Sequence, residues 1–252
     1  MTLIASLRKE FIEQWRTYRF LVLIIVLAFF GMTSPLLAKY TPELLKLIPA
    51  TGGITVVMPP PTVMDAITQY VKNISQFGFL LALLLSMGAV AQEKDKGTAA
   101  MMLVKPLSRG TFILSKVLAL GLAFLVSLLV AGLGAYYYTV ILFQPVDLGA
   151  WLAMNLLLWV YMLVYVALTV LFSTLTRSQA AAAGLSFGML LLLGLVGSLG
   201  NLGEYLPAQL INWGAGLMAG SAASYWPALV VSLGLVLASL AVALISFSKQ
   251  EL

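Results

Sequence analysis

Apolar residues fall in six long runs, at 20–38, 74–91, 117–143, 150–172, 180–200 and 226–247, and the polar positions gather between them. A bilayer core of about 30 Å is crossed by about 20 apolar residues in helical form. Lipid offers backbone groups no hydrogen bonds, so each run must satisfy its own and predicts one membrane-spanning helix. The runs fill 1–252, so the expectation is one transmembrane domain in an all-α integral membrane protein of six spans.

The connections carry patterns of their own. Over 2–19, Leu3, Leu7, Phe11 and Trp15 repeat on one helical face with Ile4 and Ile12 alongside, while Arg8, Lys9, Glu13 and Arg16 turn elsewhere. That pattern predicts an amphipathic helix lying in the headgroup layer, with Trp15 in the aromatic belt and Arg16 and Arg19 reaching lipid phosphates. Glu10 and Glu13 precede the first apolar run, which is read as an uncleaved span. In the loop 39–73, the run Pro59-Pro60-Pro61 stops any helix, and Thr62 or Asp65 can begin a short external one that leads into the second span. Segment 201–225 is punctuated by Gly203, Pro207, Gly214, Gly216 and Gly220, too often for a seventh span. It is placed outside, with a partial dip into the membrane as the alternative. In the fifth span, Ala180, Gly184 and Gly188 line one face, which predicts close helix contact within the bundle or between subunits.

Composition agrees with the pattern: 62% of residues are hydrophobic and 9% charged, against roughly 25% charged in soluble domains. With the N-terminus inside, Arg8, Lys9, Arg16, Arg19, Lys94, Lys96, Lys105, Arg109, Lys116, Arg177 and Lys249 are cytoplasmic, and Lys39, Lys46 and Lys72 lie outside. This asymmetry predicts that both termini are cytoplasmic in a multi-pass membrane protein; a bacterial plasma membrane is the expected location. It also accounts for the net charge of +5, and no basic stripe interleaved with base-stacking aromatics suggests nucleic acid.

Several chemistries lack their residues. With no cysteine and no histidine, there is no thiol nucleophile, and the commonest metal ligand and general base are missing. No catalytic residue and no metal site is therefore assigned. No acidic or basic residue falls in the middle of a span, so the intramembrane relay of a proton-driven carrier is missing. The strongest polar group at depth is Asn155, read as an interhelical hydrogen-bond partner. No GxxxxGK[ST] loop is present, so an ATP-driven process would need its ATPase on another chain.

The densest charge lies in QEKDKGTAAMMLVKPLSRG, residues 92–110. Here Glu93, Lys94, Asp95 and Lys96 extend the second span, and Gly97 can end it in a left-handed conformation. Thr98 can cap a short helix that Pro106 must stop, and Ser108 can cap the next helix, which carries Lys116 at the membrane surface. The whole of 92–116 becomes a helical elbow that presents Met101, Met102, Leu103 and Val104. Flexible methionines suit a docking surface that stays engaged while a partner moves.

The string Gln92-Glu93-Lys94-Asp95-Lys96-Gly97-Thr98, followed by Lys105-Pro106-Leu107-Ser108-Arg109 and Ser115-Lys116, resembles the elbow of type-2 ATP-binding-cassette (ABC) export permeases. The order of an interfacial helix, six spans and a large first external loop is similar too. Where many members have Glu or Arg after the first Glu, this chain has Lys94 and Asp95. The resemblance implies that Glu93, Lys94, Asp95, Lys96, Gly97, Thr98, Met101, Met102, Lys105 and Arg109 couple to a cytoplasmic ABC ATPase. It further implies two permease copies, identical or paralogous, with ATP and Mg bound by the ATPase subunits and no cofactor on this chain. Export of a drug, lipid or peptide is the leading reading. An ion-coupled secondary carrier and a non-transporting assembly subunit are the alternatives.

Overall fold

The computed structural model describes residues 3–46, 59–98, 108–198 and 200–250. The regular elements among them are all helical: α1 (Leu3–Arg16), α2 (Arg19–Lys46), α3 (Val63–Ser86), α4 (Ala91–Asp95), α5 (Arg109–Leu142), α6 (Leu148–Leu175), α7 (Gln179–Gly197), a 3-10 turn (Gly200–Tyr205), α8 (Ala208–Met218) and α9 (Trp226–Ser248). Six stretches are long and apolar enough to cross a membrane: Arg19–Leu44, Val63–Asp95, Arg109–Leu142, Leu148–Leu175, Gln179–Gly197 and Trp226–Ser248. The chain is a multi-pass, all-helical membrane protein.

Side-chain caps set several helix starts. After the triple proline, Thr62 accepts from the Asp65 amide while the Asp65 carboxylate accepts from the Thr62 amide at 2.7 Å. This reciprocal cap satisfies two otherwise orphaned donors. The short external helix expected here is therefore the first part of α3, which runs unbroken to Ser86. Ser108 accepts from Thr111 at 3.1 Å to open α5, and Asp147 accepts from Ala150 at 2.6 Å to open α6.

Helix α6 is the hub, touching α3, α5, α7, α8 and α9. Of its most apolar stretch 72% is buried, against 11% for α7. Asn155 on α6 accepts from Tyr70 and donates to the Trp151 carbonyl at 2.9 Å, while the Trp151 indole donates to the Gly132 carbonyl at 3.1 Å. The deepest amide is thus satisfied inside the bundle, as its sequence position suggested.

Small residues matter most where α2 meets α5. A Cβ on Gly31 would come within 2.7 Å of the Ala131 carbonyl oxygen. By contrast, a Cβ on Gly184 or Gly188 would meet nothing within 4 Å. The small-residue face of α7 therefore does not pack within its own bundle; Ala182 and Ser186 are the buried residues of this helix. Gly31→Val should lower stability by about 1–3 kcal/mol through overpacking, whereas Gly184→Ala should leave thermal melting in lipid nanodiscs unchanged. Equal melting of the two variants would refute this account of the contact.

Segment 200–218 packs against α6 and α3, with Leu210 and Trp213 buried. A Cβ on Gly214 would lie 2.9 Å from Cγ of Met154, which sets α8 against the first half of α6. The start of α8, at Ala208 and Gln209, shares a cavity wall with Tyr161 and Tyr165. At 1.5 Å per residue, Tyr161 sits about 20 Å along α6 from its start. Irregular backbone of this kind is tolerated in a membrane protein where it is buried in protein or lines a cavity. Here α6 supplies the first condition and the cavity the second.

Candidate functional site

Ser6, Glu10 and Gln14 recur every fourth residue on α1, and they are its buried residues. Ile4, Ile12 and Trp15 stay exposed. The helix is amphipathic as expected, but it is the polar stripe that meets protein. The physical reason lies on α5, which offers Ser115 and Lys116 as partners. Ser6 donates to Ser115 at 2.9 Å, and the Lys116 ammonium lies 3.2 Å from both Glu10 oxygens and 2.6 Å from Glu93 Oε1. Lys116, expected at the surface, is only 3% exposed. Glu10, whose contribution sequence reasoning missed, is its second carboxylate; the Ser6-Glu10-Gln14 spacing was the available signal.

Lys9 completes this first clamp, with its ammonium 3.0 Å from Glu10, 3.3 Å from Glu13 and 3.5 Å from Glu93. Burial pulls its pKa down, but Glu10, Glu93 and Glu13 together outweigh burial and raise it above the ordinary 10.5. A raised lysine pKa stabilises the fold fully below the unfolded value and loses that contribution as pH climbs through the folded one. The Lys9 contribution should therefore persist across neutral and mildly alkaline pH. A melt that weakened between pH 7 and 9 in wild type but not in Lys9→Met would contradict it. Glu10, Glu13 and Glu93 bring carboxylate oxygens within 4.8 Å of one another, a spacing open to a metal ion, yet Lys9 and Lys116 already lie among them.

Glu93 reaches this cluster because the second span is broken. Between α3 and α4 the chain turns at Met87–Val90, and Ser173 of α6 holds the turn. Its hydroxyl accepts from the Val90 amide at 3.0 Å and the Ala91 amide at 2.9 Å, and donates to the Met87 carbonyl at 2.8 Å. The sequence suggested a continuous helix through Lys96. Gly88 was the one local hint, and the serine lies on another helix. Ser173→Ala would orphan two buried amides and should cost about 1–3 kcal/mol. The check is faster hydrogen exchange at Val90 and Ala91; unchanged exchange would remove Ser173 from this role.

A second clamp holds the other ends of the chain. Arg109 Nη1 donates to the carbonyls of Phe247 at 3.1 Å, Ser248 at 2.7 Å and Gln250 at 2.9 Å. A cation at these carbonyls also opposes the negative end of the α9 dipole. Phe112 stacks on Phe247 beneath it, ring centroids 5.2 Å apart. Lys94 donates to the Thr174 carbonyl at 2.6 Å and to Gln250 Oε1 at 3.3 Å. Both strands of the elbow, 93–94 and 109–116, are therefore fastened to the bundle.

The remaining sequence candidates divide cleanly. Asp95 and Lys96 are exposed, and Gly97 takes the expected left-handed conformation, with φ of 66°. Thr98 donates to the Glu93 carbonyl at 3.2 Å, whereas the helix it was expected to cap lies outside the described residues, as do Met101, Met102 and Lys105. Trp15 is 63% exposed and Arg16 is exposed. Arg19 donates to Gln92 Oε1 at 3.1 Å, so it also braces the elbow. The joint between α1 and α2 holds Tyr18 at φ of 59°, a conformation unfavourable for a side chain.

These features lie at one end of the bundle, hereafter the base. The chain is 30% identical over 217 residues to the uncharacterized transmembrane protein YxlG of Bacillus subtilis (strain 168), an alignment covering 82% of this chain and 81% of that protein. The ABC-2 family transporter protein family matches residues 4–252. That match takes in α1, both clamps and all six candidate spans, and on it the chain belongs to the ABC-2 family of transporter membrane proteins.

Proposed function

We propose that this chain is the membrane subunit of an ATP-driven exporter in the bacterial plasma membrane, worked from the cytoplasm by a separate ABC ATPase that grips the elbow. The observation that carries the reading is the division of labour among the elbow charges. Glu93, Lys94, Arg109 and Lys116 bind the rest of the bundle, while Asp95 and Lys96 point away from it, exposed. A partner that pushes on 95–98 would move α1, α6 and α9 together, because each is bonded to the elbow's roots. Such a push drives transport only if the ATPase holds the elbow differently in its two nucleotide states.

In this reading the base is cytoplasmic, α1 lies along the inner headgroups with its apolar face toward lipid, and two permease copies pair. The exposed face of α7, with Gly184 and Gly188 open, is the surface that a second copy would cover. The cargo is an amphiphilic or apolar molecule, and ATP and Mg sit on the ATPase.

Copurification with a Walker-type ATPase tests the reading. The double reversal Asp95→Lys with Lys96→Glu should cut ATPase retention by about tenfold, equivalent to 1.4 kcal/mol, while thermal melting stays that of wild type. Full retention in that variant, or transport by the purified chain with no ATP, would overturn the proposal. Orientation is checked by single cysteines in this cysteine-free chain. Lys96→Cys should label from the cytoplasm, and Gln144→Cys and Ala222→Cys from outside; the reverse pattern would refute the topology. Gly203 is unsuited to such labelling because a Cβ there would come within 2.5 Å of the Gly197 carbonyl oxygen.

A further inference from the structure

A cavity of about 690 Å³ lies within the single chain, between α6, α7 and segment 200–218. It is separate from both clamps and needs no second copy to form. The volume falls within the usual range for small-molecule sites, roughly 300–1,000 Å³. Leu190, Leu191, Leu193 and Leu195 of α7 make its apolar stripe, and Tyr161, Tyr165, Ser198, Gln209 and Asn212 supply polar groups. Among the described residues, no charged side chain lines it.

Three features give this cavity a chemistry. First, Asn212 donates to Gln209 Oε1 at 2.8 Å, which leaves the Asn212 carbonyl oxygen and the Gln209 NH2 of that pair for other partners; the amide inventory is one acceptor and donors. Second, Ser198 spends its hydroxyl proton on the Leu195 carbonyl at 2.7 Å, so toward a ligand it is an acceptor. Third, the side facing α7 is built by a 3-10 turn, Pro207 and the first turns of α8. Irregular backbone of this kind is tolerated in a membrane protein where its polar groups line a cavity. An ion entering would find no counter-charge, and an unpaired charge at depth costs several kcal/mol.

We infer that this cavity binds the uncharged, hydroxyl-bearing head of a single-chain amphiphile, with the chain lying along the α7 leucines. The inference rests on the permease reading for its claim that this amphiphile is cargo. The binding claim concerns this chain alone.

The experiment uses full-length protein in detergent-free phospholipid nanodiscs, because sugar-headed detergents are themselves hydroxylated amphiphiles. The probe is a photoactivatable monoacylglycerol. Label should enter peptides containing Tyr161, Tyr165 or residues 190–212. Unlabelled monoacylglycerol should compete, and the fatty-acid anion of the same chain length should compete about tenfold less well, a difference of 1.4 kcal/mol. Gly194 lines the cavity, and a Cβ there would meet nothing within 4 Å. Gly194→Phe should therefore fill the space and abolish labelling with melting preserved. Asn212→Leu, which keeps the volume and removes the polar group, should weaken labelling by itself. Equal competition by the anion, or undiminished labelling in Gly194→Phe, would overturn the inference. ATPase retention is scored on the same variants and should be intact in Gly194→Phe. Failure to bind amphiphile with the ATPase still retained would sink the cavity alone, while loss of the ATPase from wild-type protein would sink the permease reading.

Discussion

Lys116→Met is expected to be the most damaging single change outside the apolar core, costing about 3–5 kcal/mol, because it leaves partners of a buried ion pair under-compensated. Glu10 and Glu93 both contact that ammonium, at 3.2 and 2.6 Å, and without it the partly exposed Lys9 alone would face Glu10, Glu13 and Glu93. Thermal melting in nanodiscs should fall steeply, and coupled ATP hydrolysis should fall with it. The triple variant Glu10→Gln, Glu93→Gln, Lys116→Met removes all three charges and should recover most of the melting temperature. A single variant that melts like wild type would show that the cluster does not hold the base together. Glu93→Lys is a poor probe of ATPase contact for the same reason: it would set a third ammonium against Lys9 and Lys116, so its loss of coupling would report a broken base.

Arg109→Ala should have the second largest effect. One guanidinium nitrogen serves three carbonyls at the end of α9, and a hydrogen bond to a charged group contributes about 1.5–3 kcal/mol. The three share one donor nitrogen, so the expected loss is of that size and not three times it. The distinguishing readout is local. Amides of 244–250 should exchange faster, while α1 and the Lys116 cluster keep their protection. Uniform loosening of the whole bundle would assign Arg109 a general structural role, and no change at 244–250 would remove it from the clamp. Arg109→Lys should rescue only in part, since an ammonium on a flexible stem lacks the rigid fork of the guanidinium.

The two clamps explain why the chain's ends converge on the elbow. Lys116 ties α5 to α1, and Arg109, about two turns earlier, ties the same helix to α9. Lys94 and Ser173 join α4 to α6 from the other side. A force applied to residues 95–98 consequently reaches four helices without passing through the apolar interior.

Much of this was written locally. The six spans follow from run length, Gly97 from its freedom at positive φ, and Thr62, Ser108 and Asp147 from the need to satisfy the first amides of a helix. Each depends on residues within a turn or two, so the order of amino acids determined them. The face of α1 that meets protein, the break after Ser86 and the role of Arg109 depend on partners 106, 83 and 138 positions away. The packing of 200–218 likewise depends on Met154 of another helix. Hydropathy records how costly a residue is in lipid, not which neighbour will satisfy it. Only the packed bundle, by bringing distant donors and acceptors within hydrogen-bond reach, decided which polar groups could be buried and where.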